Sequence, residues 1–259
     1  MLTPMRELRV LVVGSSTTYM TVPHRSSRHD GTYAEHLDAE LAALGVTART
    51  TLRSRWHGMI NGARKEQESL RETMPDVVVL NYGIVECQPR VLPTWFYRSF
   101  VTWLPGTRRH EIFYRRTIMP RLWRLVRSYQ RLATTMVASH THRLSPRRFD
   151  LELRKTIEGL RLDLAPLILV LDIDPVTAKV EHFIPGMQTR VQRYNSLLRA
   201  VVEDMAQPDT RLLRTSEVVH NLGVEVALPD GIHRSSAGHR AVAAMIATEI
   251  APWAKATFA

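Results

Sequence analysis

Short apolar runs alternate along this chain with stretches of helical periodicity, and that alternation constrains the fold more than any other feature. The runs are Leu8–Val13, Val46–Leu52, Val77–Asn81, Leu167–Ile173 and a weaker Arg211–Arg214. The first, third and fourth are apolar at nearly every position, the pattern of strands buried on both faces. Between the runs, Tyr33–Leu44 carries apolar residues at helical spacing and stops at Gly45, and the polar Gly62–Thr73 ends before Pro75. Met187–Met205 and Ala237–Ile250 read as longer helices. Such alternation predicts an α/β chain in three α/β/α layers, with a mainly parallel sheet covered on both faces. A length of 259 residues suits one such domain.

Composition narrows the class further. With 44% hydrophobic and 23% charged residues the chain can bury a core, which excludes wholesale disorder. The single cysteine, Cys87, cannot form an intramolecular disulfide and excludes a cysteine-rich zinc module. No histidine or acidic spacing, His140 and His142 included, matches a standard metal site, so neither metal nor cofactor is expected. The apolar run near the N-terminus is too short for a signal-peptide core and leads into Gly14-Ser15-Ser16. No window reaches the roughly 18 apolar residues of a membrane span. A cytoplasmic protein is the expectation.

The net charge is +10, and all of the excess lies between Arg90 and Asp150, where thirteen arginines face two acids. This stretch, about 90–150, reads as an insertion between the third and fourth strands and holds Trp95, Trp103 and Trp123. After Pro120, the residues Leu122, Leu125, Tyr129, Leu132 and Met136 share one helical face, and Arg121, Arg124, Arg127 and Arg131 share another. That is a basic amphipathic helix. Three readings stay open for it. It is a solvated lid; or it captures an anionic donor or polyanion, such as coenzyme A, a carrier protein, an aminoacyl-tRNA or an acidic polysaccharide; or it meets an anionic membrane. On the second reading Arg121, Arg124 and Arg127 are the donor- or substrate-binding candidates. Trp95, Phe96, Tyr97 and Trp103 read as core or lid packing in preference to an acyl pocket.

Three separated pieces carry the chemistry. Gly14-Ser15-Ser16-Thr17-Thr18 closes the first strand, so its serines fall at the carboxyl edge of the sheet, where α/β folds bind ligands. Asp230-Gly231-Ile232-His233 precedes the last helix. An Asp three residues before a His can hold one ring nitrogen while the other faces a hydroxyl. The third strand, Val77–Asn81, leads into Tyr82-Gly83-Ile84-Val85-Glu86-Cys87, with a glycine where the backbone must approach something closely. Taken singly, each piece also fits a helix cap, a loop pair or a turn. Their order is more informative than any one of them. Cys87 reads as a half-buried structural thiol, and Asp172–Pro175 as the end of the fourth strand near the cleft.

Together these motifs resemble the SGNH (GDSL-type) hydrolase superfamily, a flavodoxin-like α/β/α fold. Gly14-Ser15-Ser16-Thr17-Thr18 is similar to its Gly-Asp-Ser-x-Thr motif, which puts Ser16 at the nucleophile position and Ser15 where the family has Asp. Asp230 and His233 match its closing Asp-x-x-His, Ala237-Gly238-His239 follows in its usual style, and Tyr194-Asn195 resembles its helix before the penultimate strand. The resemblance implies an oxyanion hole from the backbone N–H of Ser16 and of Gly58, in Trp56-His57-Gly58-Met59, with Gly62 as the alternative register. Gly83-Ile84-Val85-Glu86 aligns with the family's Gly-x-Asn-Asp, so Val85 stands at the usual asparagine. Losing one such donor typically costs about 100- to 1,000-fold in turnover; Asn81 or Asn61 could replace it.

The mechanism implied is serine acyl transfer by Ser16, His233 and Asp230, acting on an ester or acylated small molecule or glycan. The first reading is an esterase or deacylase. The alternatives are an acyltransferase using an anionic donor and a non-catalytic polyanion-binding member of the fold. Asn81 and Glu86 complete the substrate-binding candidates.

Overall fold

The computed structural model describes residues 6–21, 31–55, 58–90, 129, 142–162 and 166–258. Its five strands are β1 (Leu8–Gly14), β2 (Ala48–Ser54), β3 (Val77–Asn81), β4 (Leu167–Leu171) and β5 (Thr210–Leu213). They pair in the order β2-β1-β3-β4-β5, every pair parallel. The helices among the described residues are α1 (Ser16–Tyr19), α2 (Tyr33–Ala43), α3 (Ile60–Lys65), α4 (Gln67–Arg71), α5 (Ile84–Cys87), α6 (Pro146–Arg161), α7 (Ala178–Phe183), α8 (Met187–Met205), α9 (Thr215–Leu222), α10 (Val224–Ala227) and α11 (Ser236–Phe258).

Strand periodicity sorts the core into two layers. Leu8, Val10 and Val12 of β1, with Val77 and Val79 of β3, face α2 and α11. Leu11, Val13, Val78 and Leu80 face the opposite way, onto α3, α4, α6 and α8. Burying each of these side chains stabilises the fold by about 2 kcal/mol before the entropy of ordering is set against it. β2, at the edge, alternates half-buried residues with exposed Arg49, Thr51 and Arg53, a charged rim that discourages pairing with another chain. The chain passes from β1 to β2 on one side and then to β3 on the other. The crevice between β1 and β3 is therefore the switch point at which such sheets bind ligands.

Several boundaries differ from the sequence expectation for identifiable reasons. Val46 is buried but precedes β2: its N–H donates to the Leu41 carbonyl while Gly45, at φ +77°, donates to Ala42, which closes α2 in a Schellman turn. The helix expected over Gly62–Thr73 breaks at Glu66 into α3 and α4. β4 stops at Leu171 because the Asn195 side chain takes over the backbone of Ile173: its Oδ1 accepts from the Ile173 N–H at 2.8 Å and its Nδ2 donates to the Ile173 carbonyl at 2.9 Å. The last helix runs past Ile250, through Pro252, to Phe258.

The helix α6 begins at Pro146, inside the stretch assigned to the insertion, and buries Phe149, Leu153, Ile157 and Leu160 against the sheet. Of the rest of that stretch only Arg90, Tyr129 and residues 142–145 are among the described residues, and Arg121, Arg124, Arg127 and the tryptophans lie outside them. No helix among the described residues is long and apolar enough to cross a membrane.

Candidate active site

Ser16 opens α1 directly beyond the end of β1. The turn that presents it demands glycine at position 14, where a Cβ would lie 2.0 Å from the Thr18 hydroxyl oxygen and 2.9 Å from the Asn81 carbonyl. The neighbouring strand ends clasp this turn: the Ser15 N–H donates to Asn81 at 3.4 Å and the Arg55 N–H to Gly14 at 3.2 Å. Ser15 is buried and shares a 3.2 Å hydrogen bond with the Thr17 hydroxyl, so it braces the turn.

The loop between α10 and α11 brings the second group. Asp230 Oδ1 accepts from the backbone N–H of Ile232 at 3.0 Å and of His233 at 2.8 Å, folding the loop back on itself. Gly231 makes the bend at φ +97°, pressed so closely on Thr177 and Val180 that a Cβ would fall within 2.6 Å of both side chains. The other carboxylate oxygen of Asp230 lies 2.8 Å from His233 Nδ1, and His233 Nε2 lies 3.0 Å from Ser16 Oγ. An ionised Asp230 can only accept, so Nδ1 carries the proton and Nε2 offers its lone pair to the serine hydroxyl. Burial pushes the Asp230 carboxyl up, but the hydrogen bond and charge of His233 and the two backbone amides outweigh it and hold the group at about 2. The carboxylate stays ionised at any ordinary pH. Residues 217 positions apart thus form a hydroxyl, imidazole and carboxylate in line.

No family model and no curated protein matches the sequence, but solved structures match its shape over nearly its whole length. A lipase/acylhydrolase from Enterococcus faecalis superposes with a TM-score of 0.64 at 13% identity, covering 95% of this chain and 96% of that one. An acetylxylan esterase from Geobacillus stearothermophilus gives 0.60 at 15% identity, with 96% of each chain covered. A carbohydrate acetylesterase from Sinorhizobium meliloti gives 0.59 at 14%, covering 95% of this chain and all of that one. The chain has the SGNH-hydrolase fold.

Within this SGNH fold, the groups expected to stabilise charge are arranged less openly than the serine and histidine. The Ser16 N–H begins a helix and has no intrahelical acceptor. The Gly58 N–H donates to the Arg55 carbonyl at 2.9 Å, closing a turn, and the Gly62 N–H donates to Met59 at 2.8 Å at the start of α3. Val85 is packed into the core between the sheet and α8. Glu86, expected to face substrate, turns inward instead. It is fully buried, and its oxygens accept from the backbone N–H of Ile60 at 2.7 Å and of Gly83 at 2.8 Å. Burial pushes its carboxyl up to about 7 despite those bonds. Glu86 braces two loops against each other and offers nothing to the cleft.

Asn81 does reach the cleft, with its Nδ2 donating to the Tyr33 hydroxyl at 3.3 Å. The pocket beside the serine holds about 280 Å³ counting its open mouth. Thr17, Asn81, Tyr82 and Asp174 supply its polar lining, and Ile84, Ile173, Pro175 and Ile232 its apolar lining. Asp174 is drawn there by Arg234, a residue that sequence patterning does not single out. Arg234 follows His233, is 1% exposed, and pairs with Asp174 through two nitrogens. An arginine immediately after the base, where its side chain must go inward, was the available signal. His239 is also buried. Its Nδ1 accepts from the Tyr33 N–H at 3.2 Å and its Nε2 donates to the Met20 carbonyl at 3.0 Å, while burial, chiefly, holds its pKa down at about 3. It is a neutral strut between α11, α2 and the turn after α1.

Proposed function

We propose that the chain is a serine esterase that removes short acyl groups from hydroxyl esters of small molecules or glycans. The observation that carries this reading is the continuous relay from Asp230 through His233 to Ser16, at 2.8 and 3.0 Å. In the reaction Ser16 Oγ attacks the ester carbonyl carbon while His233 Nε2 takes the hydroxyl proton. The carbonyl π bond breaks to leave an oxyanion within reach of the Ser16 N–H. Collapse expels the alkoxide, which leaves as the alcohol with the proton from His233. Water, deprotonated by His233, then releases the acyl group as a carboxylic acid and restores the serine. Asp230 keeps its charge throughout and holds the ring.

The pocket next to Ser16, with isoleucines and a proline facing a few polar groups, has the mixed lining that an acyl substrate requires. The acetylesterase activity named for two of the structural neighbours points the same way. Cys87, free and buried, accords with a reducing, cytoplasmic setting.

A second reading, acyl transfer from an anionic donor, is favoured by the engaged amides of Gly58 and Gly62 and by the charge of the arginine-rich stretch, with Arg121, Arg124 and Arg127 as donor contacts. One experiment separates the readings. The purified protein is treated with a fluorophosphonate and assayed on p-nitrophenyl acetate, alongside Ser16→Ala and His233→Ala. Esterase action requires an adduct on Ser16 and hydrolysis that both substitutions abolish. An adduct without hydrolysis moves the assignment to transfer. A folded protein that takes no label overturns both and leaves polyanion binding to be assayed.

A further inference from the structure

The buried pair Arg234–Asp174 joins two walls of the cleft. Arg234 Nη2 donates to Asp174 Oδ1 at 2.9 Å, and its Nε lies 2.7 Å from Oδ2, an ion-pair contact beside that hydrogen bond. The hydroxyl of Thr215, at the start of α9, accepts from Nη2 at 3.2 Å and lies 3.1 Å from Asp174 Oδ1. The guanidinium sits 5.6 Å from the centre of the Tyr33 ring, whose hydroxyl holds Asn81. On one side this cluster is continuous with His233 through a single peptide bond. On the other it carries a residue of the pocket wall.

From behind, that wall is held by α8. Asn195 grips both backbone groups of Ile173, and Gln188 Oε1 accepts from the Val176 N–H at 3.0 Å. Forward, towards the loop bearing the base, it is tied at two points: the Thr177 N–H donates to the Gly231 carbonyl at a long 3.4 Å, and the Asp174 side chain, between the two α8 anchors, pairs with Arg234. Energetics favours a geometric role for the tie. A fully desolvated ion pair contributes little over a well-packed apolar replacement, because the Coulombic gain is offset by lost hydration. A guanidinium that hydrogen-bonds both Asp174 and Thr215 while facing the second carboxylate oxygen does hold two loops at one separation, which an apolar contact does not.

We propose that Arg234 and Asp174 are positioning residues that set the pocket wall and the His233 base as one unit, so that substrate carbonyl, serine and imidazole meet in register. This rests on the esterase reading above. Displacing a base or a bound carbonyl by about 1 Å costs on the order of 100-fold in rate.

The test uses the full chain with Asp174→Asn/Arg234→Met, which leaves no unpaired charge, and Arg234→Lys, which keeps the charge but loses the fork. Melting temperature, kcat and KM for p-nitrophenyl acetate, and the rate of fluorophosphonate labelling at Ser16 are measured for each. The expected result for the double variant is a melting temperature near that of the wild type, with kcat and the labelling rate lowered about 10- to 100-fold and KM raised. Arg234→Lys should recover part of the loss. If the double variant does not fold, Arg234→Lys decides alone, and a folded Lys variant with wild-type kcat and KM overturns the proposal. So does a folded double variant with wild-type kinetics, since the pair is then structural. Absence of Ser16-dependent hydrolysis or labelling in the wild type is the separate failure of the esterase reading, and it removes this inference too.

Discussion

On one side of Ser16 the hydroxyl meets an imidazole already aligned, with a carboxylate behind it that also accepts from two backbone amides. On the other side, where the esterase reading needs charge to build on the substrate oxygen, the expected Gly58 amide and its alternative, Gly62, donate to their own turns, and a valine in the core stands at the usual asparagine. The two sides also differ in how their carboxyls are held. Asp230 is kept charged by donors that outweigh its burial, whereas Glu86 is so buried that its charged form is disfavoured although two amides serve it. On the esterase reading, activation of a nucleophile and stabilisation of its product are separate construction problems, and the resting geometry serves the first. The second is left to the Ser16 amide and to whatever substrate binding rearranges.

The sharpest way to break the comparison is on the proton-handling side. Ser16→Ala should remove esterase turnover, and Asp230→Asn, which keeps shape but reverses the preferred tautomer, should lower kcat by about 10,000-fold. A loss of less than tenfold in Asp230→Asn would mean that the relay is not the engine. Ser16→Ala should melt near the wild type at neutral pH, whereas Asp230→Asn should also lose the stability that its depressed carboxyl contributes there.

Stability against pH sharpens the contrast between the carboxyls. Glu86 has its folded pKa raised, to about 7 from 4.5, so its contribution is fully present below 4.5 and is lost as the pH rises through 7. Relative to Glu86→Gln, the wild type should gain on the order of 3 kcal/mol in urea denaturation as the pH falls from 7 to 4.5. Asp230 runs the other way. Its folded pKa is depressed, so its contribution is present above about 3.8 and lost only as the pH falls through about 2. A flat difference for Glu86→Gln across pH 4.5 to 7 would show that the bracing carboxylate is charged at no cost.

A smaller effect is expected from Val85→Asn. The position is 2% exposed, so the amide should lower stability by about 1–3 kcal/mol without raising turnover. A tenfold gain in kcat would instead place that side chain at the oxyanion and erase the asymmetry between the two sides.

Much of the frame was legible before any coordinates. Val77–Asn81 and Met187–Met205 match their expected bounds because one is apolar at almost every position and the other has an unbroken helical period. Pro146–Arg161 was hidden by charge: Arg143, Arg147 and Arg148 group it with the arginine-rich stretch, while Phe149, Leu153, Ile157 and Leu160 mark the buried face. At the site, Ser16, Asp230 and His233 announce themselves through short motifs in a fixed order. The engagement of the Gly58 and Gly62 amides leaves no trace in side-chain identity, because it is a matter of backbone turns. The bond between Asp174 and Arg234 spans 60 positions and follows no local period. Glu86 misleads for the opposite reason, since a carboxylate beside a strand end looks available until its two backbone donors are seen.

The separation of Ser16 from His233 bears on how the protein is made. The serine is synthesised 217 residues before the histidine, and the loop that carries the histidine leads into α11. A nascent or prematurely terminated chain therefore carries an ordinary, unactivated serine. On the esterase reading, reactivity at Ser16 waits until synthesis has passed His233, which keeps acyl esters out of reach of any shorter product of translation.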